Sequence, residues 1–156
     1  MGMDKTILIV EDDEVLIGIY KEILELYNYE VQTALNGVEG VKKFKQIKPS
    51  LVILDVNMPG IDGYETFKQI KEFDKNANVV IVTSSAEFES KNQEVIKQGL
   101  IKVILKPILI DELLKLAKKY TGLKLEKRFG DMEEVMLELT LKTNKFLKNF
   151  IRKNQK

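Results

Sequence analysis

The chain has 156 residues, a formal net charge of +1, no cysteine and no histidine. This length allows one domain with its own core plus a short appendage, and the small net charge gives no global field that would attract nucleic acid or anionic lipid. The missing residue types exclude disulfides, thiol chemistry and histidine-ligated zinc, so any chemistry must use carboxylates, hydroxyls, lysines or backbone groups.

The sequence contains no apolar run close to the ~20 residues that a transmembrane helix needs. The N-terminal residues lead directly into a strand-like run at Thr6–Val10 and lack the form of a secretory signal. We therefore expect a cytoplasmic protein that binds neither membranes nor nucleic acid.

Short β-branched apolar runs alternate with helical patterns as far as about residue 120. The runs are Thr6–Val10, Glu30–Ala34, Leu51–Leu54, Asn78–Val82 and Ile101–Leu105. Five strand–helix pairs in alternation predict an α/β fold, with a parallel sheet covered by helices on both faces.

The helical segments carry their own boundary signals. In the first helix, apolar residues at helical spacing predict one buried face made of Val15, Ile19, Ile23 and Leu26. Asp62 is expected to cap the third helix at its N-terminus. A weaker fourth helix is predicted over about Glu87 to Lys97, with Gly99 just past its end.

Polar residues stand where the predicted strands end. Glu11-Asp12-Asp13 follows the first strand, Asp55 the third, Thr83 the fourth and Lys106-Pro107 the fifth. The carboxyl ends of parallel strands lie along one edge of the sheet, and open α/β sheets bind ligands in a crevice at that edge. We therefore expect several acids, one hydroxyl and one ammonium group to meet there.

These residue types in one pocket predict a specific chemistry. Crowding Asp12, Asp13 and Asp55 would raise carboxyl pKa values unless a cation intervened, and Mg²⁺ prefers oxygen ligands of this kind. Lys106 would supply positive charge and Thr83 a hydroxyl donor for a phosphoryl oxygen. Asp55 is the natural nucleophile, because carboxylates form aspartyl-phosphate intermediates.

The whole set resembles the receiver domain of two-component response regulators. The matching residues are Glu11-Asp12-Asp13, Asp55 with Met58-Pro59-Gly60 after it, Thr83 and Lys106-Pro107, in the family's order and spacing. The resemblance covers about residues 4 to 121. It implies a flavodoxin-like sheet with strand order 2-1-3-4-5.

The resemblance also implies roles for individual residues. Asp55 would accept a phosphoryl group from a phosphohistidine on a sensor histidine kinase or a phosphotransfer protein. Mg²⁺ would be held by Asp12, Asp13, Asp55 and the backbone carbonyl of Asn57, while Thr83 and Lys106 would contact the phosphoryl oxygens. The family further implies a cis peptide between Lys106 and Pro107, and a role for Asn57 and Ser85 in tuning the phosphoryl lifetime.

One position departs from the family pattern. Receiver domains often place Tyr or Phe three residues before the lysine, where the ring takes part in switching, and this chain has Val103 there. A receiver-like scaffold that is never phosphorylated is therefore an alternative. A Mg²⁺-dependent phosphohydrolase with an aspartyl nucleophile is a weaker alternative. The haloacid-dehalogenase pattern of such enzymes places the nucleophile after the first strand and a second Asp two residues later, whereas here Asp55 follows the third strand and Asn57 occupies the second position.

Residues 122–156 form a predicted linker and one amphipathic helix, too short for a helix-turn-helix DNA-binding domain of usual size. Most apolar residues of this helix share one face, whereas Leu137 and Leu141 lie on roughly the opposite one. Because a solitary solvated helix does not carry apolar residues on two sides, the helix is expected to pack on its own domain or on a second copy, with a homodimer slightly favoured. Output would then proceed by protein–protein contact.

Overall fold

The computed structural model describes residues 6–84, 94–123 and 133–154. Its strands are β1 (Thr6–Val10), β2 (Glu30–Ala34), β3 (Leu51–Asp55), β4 (Val79–Thr83) and β5 (Lys102–Leu105). Its helices are α1 (Glu14–Leu26), α2 (Gly37–Ile47), α3 (Gly63–Phe73), α4 (residues 94–97), α5 (Ile110–Thr121) and α6 (Glu133–Asn154). In these ranges no helix combines the length and the apolar character that crossing a bilayer requires.

The five strands form one parallel sheet in the order β2-β1-β3-β4-β5, which confirms the predicted fold class. Val10 lies beside Leu54, Asp55 beside Val82, and Thr83 beside Leu105. The carboxyl ends of β1, β3, β4 and β5 are therefore level, and the residues that follow them share one edge.

Helices cover both faces of the sheet. One face packs α1, α5 and α6 against alternate strand residues such as Ile7, Ile9 and Ile53. On the other face, α2 and α3 pack against the intervening strand residues, such as Leu8, Val10 and Leu54. Because both faces are covered, β3 and β4 are buried along their whole length, which is why these strands read as continuous apolar runs.

The predicted buried face of α1 is wrong by about one residue. Val15 and Leu26 are 49% and 44% exposed, and Ile19 and Ile23 only flank the core. The buried residues are instead Leu16, Ile17, Tyr20 and Leu24. Apolar residues surround most of this helix, so spacing alone fits two faces, and packing against the sheet and α5 decides between them.

The signals at the other helix boundaries are confirmed where the structure describes them. The Asp62 carboxylate accepts a hydrogen bond from the Glu65 amide at 2.9 Å and caps α3. Gly99 has a φ of +87° and ends α4, a conformation that glycine adopts without strain. The start of the predicted fourth helix at Glu87, and Ser85, lie outside the described residues.

The C-terminal helix α6 packs on its own domain. Leu147 is fully buried, Ile151 is 8% exposed, and Phe150 contacts the core that α1 and α5 share. Leu137 and Leu141 remain about 60% exposed. The predicted homodimer stays a prediction, and sedimentation of the full chain against a version that ends at Tyr120 would test it.

A buried lysine joins α3 to the start of β4. The Lys71 ammonium donates to the carbonyls of Ala77 at 2.7 Å and Lys75 at 3.1 Å, and burial lowers the pKa of Lys71. We expect Lys71→Met to reduce the free energy of unfolding in urea by about 1–3 kcal/mol, because buried carbonyls lose their donor. Lys68→Met, at an exposed position of the same helix, should change it by less than about 0.5 kcal/mol. Equal effects of the two substitutions would contradict this role.

Candidate functional site

Four strand ends bring polar side chains into one pocket. Asp55 is the last residue of β3 and is 2% exposed, and Thr83 is the last of β4 and is 1% exposed. Glu11 follows β1 directly and is 4% exposed, and its amide donates to the Ala34 carbonyl at 3.0 Å, so the chain here still runs along the sheet. Lys106 follows β5.

Lys106 joins the two buried acids. Its ammonium lies 2.7 Å from Glu11 Oε2 and 3.2 Å from Asp55 Oδ1. Its backbone amide donates to the Thr83 carbonyl at 2.8 Å, which fixes the end of β5 against β4. The pocket therefore holds two carboxyl groups around one ammonium, and negative charge is in excess when both carboxyls are ionised.

The electrostatics reflect this crowding. Burial and the neighbouring charge of Asp55 raise the pKa of Glu11 from an ordinary 4.5 to about 7, against the attraction of Lys106. Burial also raises the pKa of Asp55, although Lys106 opposes it. Burial disfavours the ammonium of Lys106, but the charges of Glu11 and Asp55 outweigh this and raise the pKa of Lys106. One more cation would relieve both acids.

The geometry of the acids fits such a cation. Glu11, Asp12 and Asp55 each offer one carboxylate oxygen, and these three oxygens lie within 4.8 Å of one another. Asp55 Oδ1 is buried and, apart from its ion pair with Lys106, has no well-oriented hydrogen-bond partner within the described ranges. An all-oxygen, anionic donor set of this kind suits Mg²⁺ better than a soft metal.

Asp13, predicted as a metal ligand, is engaged elsewhere through one of its oxygens. Its Oδ1 accepts hydrogen bonds from the amides of Val15 at 2.9 Å and Leu16 at 3.1 Å, and so caps α1. Glu11 is the third member of the acid group, although it was not among the predicted metal ligands. Counting in steps of two from Ile7 and Ile9 places Glu11 on the same side of the sheet as Asp55, and this signal could have identified it.

The other predicted site residues lie at the rim of the pocket. Asn57 is exposed, and its side chain donates to Ser84 Oγ at 3.3 Å. The peptide between Lys106 and Pro107 is cis, as the resemblance implied. Val103 is a partly buried residue of β5 that packs against the core beneath α2 and α3.

Comparison with known proteins decides the family. Residues 7–118, about three quarters of the chain, match the response regulator receiver domain family. This chain belongs to that family. As a receiver domain it is a signalling module rather than a classical enzyme, and its pocket is the family's acidic pocket.

The chain is similar to several characterised members of the family. It is 39% identical over 105 residues to the chemotaxis protein CheY of Halobacterium salinarum, which covers 67% of this chain and 87% of that protein. It is 34% identical over 122 residues to sporulation initiation phosphotransferase F of Bacillus subtilis, covering 78% and 98%. It also resembles the crystal structure of response regulator TrrA from Thermotoga maritima in complex with Mg(2+)-BeF, with a TM-score of 0.65, 34% identity and coverage of 74% and 97%.

Proposed function

We propose that this receiver domain is a phosphoacceptor switch in which Asp55 carries the phosphoryl group. The observation that supports it most is the buried Asp55 carboxylate at the end of β3, 3.2 Å from the Lys106 ammonium and grouped with the oxygens of Glu11 and Asp12. Burial raises the pKa of Asp55, so keeping this carboxylate beside two further acids is unfavourable for the fold. A group that is held in a pocket in spite of such a shift is a candidate functional residue.

In the proposed reaction a carboxylate oxygen of Asp55 attacks the phosphorus of the donor. A bond from oxygen to phosphorus forms, and the bond from phosphorus to the donor's histidine nitrogen breaks, with its electron pair leaving on the imidazole. Lys106 contributes positive charge next to the new acyl phosphate. Thr83, buried at the end of β4, would donate its hydroxyl to a phosphoryl oxygen.

Mg²⁺ would be held by the carboxylates of Glu11, Asp12 and Asp55. When bound, it would neutralise negative charge on the transferring group. TrrA, a relative of known structure, was crystallised with Mg(2+)-BeF, which supports a similar requirement here. Asp13 through its second oxygen, and the carbonyl of Asn57, remain predicted ligands.

The phosphoryl donor would be a histidine kinase or a phosphotransfer protein, as for receiver domains in general. We assign residues 4–121 to the receiver unit and residues 122–156 to a linker followed by a helix, and it is the helix that docks on the receiver unit. Output would proceed by contact with another protein, and a cytoplasmic location stays a prediction.

The unphosphorylated scaffold is the second candidate, and Val103 is the observation that favours it. With Val103, the chain lacks an aromatic ring at one switching position. The acids and the lysine that would accept and hold the phosphoryl group nevertheless lie together in the pocket. The scaffold needs no such pocket. The phosphohydrolase has no feature in the described structure that favours it over the switch.

Intact-mass spectrometry after incubation with Mg²⁺ and acetyl phosphate tests the proposal. We expect one phosphoryl adduct on the wild type and none on Asp55→Asn, because the amide is not nucleophilic. Asp74→Asn is a matched control: this Asp lies between α3 and β4, and the amide keeps the oxygen that accepts from the Asn76 amide at 2.9 Å.

Each result has one interpretation. An adduct on the wild type and on Asp74→Asn, but not on Asp55→Asn, supports the switch. A wild type that gains no adduct and turns over no phosphate esters favours the scaffold. Turnover of many phosphate esters without a stable adduct would point to the phosphohydrolase.

A further inference from the structure

The N-terminus of α5 is capped by a residue of another helix. The N-cap residue of α5, Leu109, provides no side-chain hydrogen bond. Instead the amide of Ile110 donates to Oδ1 of Asn144 in α6 at 2.7 Å, and Nδ2 of Asn144 lies 3.4 Å from Asp111 Oδ1. The helix appended to the receiver unit thus satisfies a donor that the receiver unit leaves open.

This cap lies close to the functional pocket along the chain. Only Pro107, Ile108 and Leu109 separate Lys106 from Ile110. Ile108 is fully buried, so this connection has little freedom between its two ends. One end is held by the bond from the Lys106 amide to the Thr83 carbonyl, and the other by Asn144.

Apolar contacts also hold α6 on the receiver unit. Leu147, three residues after Asn144, is fully buried in the core that α1 and α5 form. A polar anchor and an apolar anchor therefore stand one turn apart on the same helix. Loss of the polar anchor would free the start of α5 while Leu147 still holds α6 in place.

We propose that Asn144 is a positioning residue through which the docking of α6 holds Lys106 in the acidic pocket. The inference rests on the proposed phosphoacceptor function. Asn144 fixes the start of α5, the short buried connection transmits that constraint, and the Lys106 ammonium stays between Glu11 and Asp55. Because coupling between two sites is reciprocal, occupation of the pocket should in turn strengthen the docking of α6.

Beryllofluoride with Mg²⁺ is the probe, and four full-length proteins are compared: the wild type, Asn144→Ala, Asn144→Asp and Asn149→Ala. Asn149 is an exposed asparagine of the same helix and serves as the matched control. In calorimetric titrations we expect Asn144→Ala to bind beryllofluoride about fivefold more weakly than the wild type, the order of a lost helix cap. Asn149→Ala should bind like the wild type. Asn144→Asp keeps the oxygen that accepts from Ile110 but places a second carboxylate beside Asp111, so it should recover only part of the affinity.

Hydrogen exchange without Mg²⁺ gives a second readout that a purely local cap would not change. We expect Asn144→Ala to accelerate exchange of the Lys106 amide as well as that of Ile110, and Asn149→Ala to change neither. In the wild type, beryllofluoride with Mg²⁺ should slow exchange around Leu147.

Three results would overturn the inference. If Asn144→Ala binds the probe as tightly as Asn149→Ala, or accelerates exchange at Ile110 but not at Lys106, Asn144 is only a structural cap. A wild type that binds no beryllofluoride and gains no phosphoryl group refutes the proposed function, and the inference with it. The behaviour of the wild type therefore separates the two failures.

Discussion

Gly63→Ala should both destabilise the protein and nearly abolish phosphorylation of Asp55. A Cβ at this first residue of α3 would lie 2.3 Å from the carbonyl oxygen of Asp55 and 2.7 Å from the Cα of Val56. These are backbone atoms of the strand end that carries the phosphoacceptor, and they cannot rotate away as a flexible side chain can. The amide of Gly63 also donates to the Val56 carbonyl at 3.0 Å, so α3 cannot easily retreat.

We expect the free energy of unfolding of Gly63→Ala to fall by about 2–4 kcal/mol in urea titrations, since overpacking against rigid neighbours is costly. The added Cβ should also push the Asp55 backbone aside. A displacement of about 1 Å should slow the phosphorylation of Asp55 by acetyl phosphate about 100-fold, because reacting groups tolerate little misplacement.

Gly18→Ala is the matched control for this prediction. Gly18 is an exposed glycine of α1, and a Cβ there would meet nothing within 4 Å. Its replacement should stabilise the protein by about 0.5–1 kcal/mol, because alanine is the better helix former, and should leave phosphorylation unchanged. If both alanine variants accept the phosphoryl group at the wild-type rate, the close approach of α3 to Asp55 has no functional importance.

The sequence predicted the sheet well because the alternation of strands and helices is written in local residue patterns. The predicted strands agree with the observed ones within one residue, as for Asn78–Val82 against Val79–Thr83. The strand ends also identify Asp55, Thr83 and Lys106 as neighbours, because the carboxyl ends of parallel strands all lie along one edge of the sheet. Local pattern and topology together were sufficient for this part of the pocket.

Features that depend on contacts between distant elements were not predictable in the same way. The close approach that requires Gly63, the buried bonds of Lys71 and the cap from Asn144 each join residues whose relative position only the folded chain defines. The buried face of α1 was misplaced for a related reason, since its apolar residues fit two faces. The place of Glu11 in the acid group was missed for a different reason: Glu11 and Asp13 are both acids beside Asp12, and only the alternation along β1 separates them.

The pocket also predicts how stability depends on pH when no divalent ion is present. Glu11 has its pKa raised from 4.5 to about 7 in the folded protein, chiefly by burial and by the charge of Asp55. Between these two values the folded state keeps a proton that the unfolded state has lost. Stability that this group contributes is therefore fully present below about pH 4.5 and is lost as the pH rises through about 7.

Glu11→Gln isolates this contribution, because glutamine has nearly the same shape, cannot ionise and still offers Lys106 an oxygen. The shift in pKa corresponds to about 3 kcal/mol, from about 1.4 kcal/mol per pKa unit. We expect the unfolding free energy of the wild type, measured in urea with EDTA, to fall relative to Glu11→Gln by about 2–3 kcal/mol between pH 5 and pH 8. Glu14→Gln, at an exposed position nearby, should follow the wild type.

Added Mg²⁺ should reverse this loss, and the reversal should depend on pH. A cation competes with the proton for the same carboxylates, so Mg²⁺ should stabilise the wild type much more at pH 8 than at pH 5. The effect should be smaller in Glu11→Gln, which has lost one of the three grouped carboxylates. An unfolding free energy of the wild type that responds to Mg²⁺ equally at both pH values would mean that the ion binds away from Glu11. The assignment of Glu11, Asp12 and Asp55 as the metal site would then be wrong.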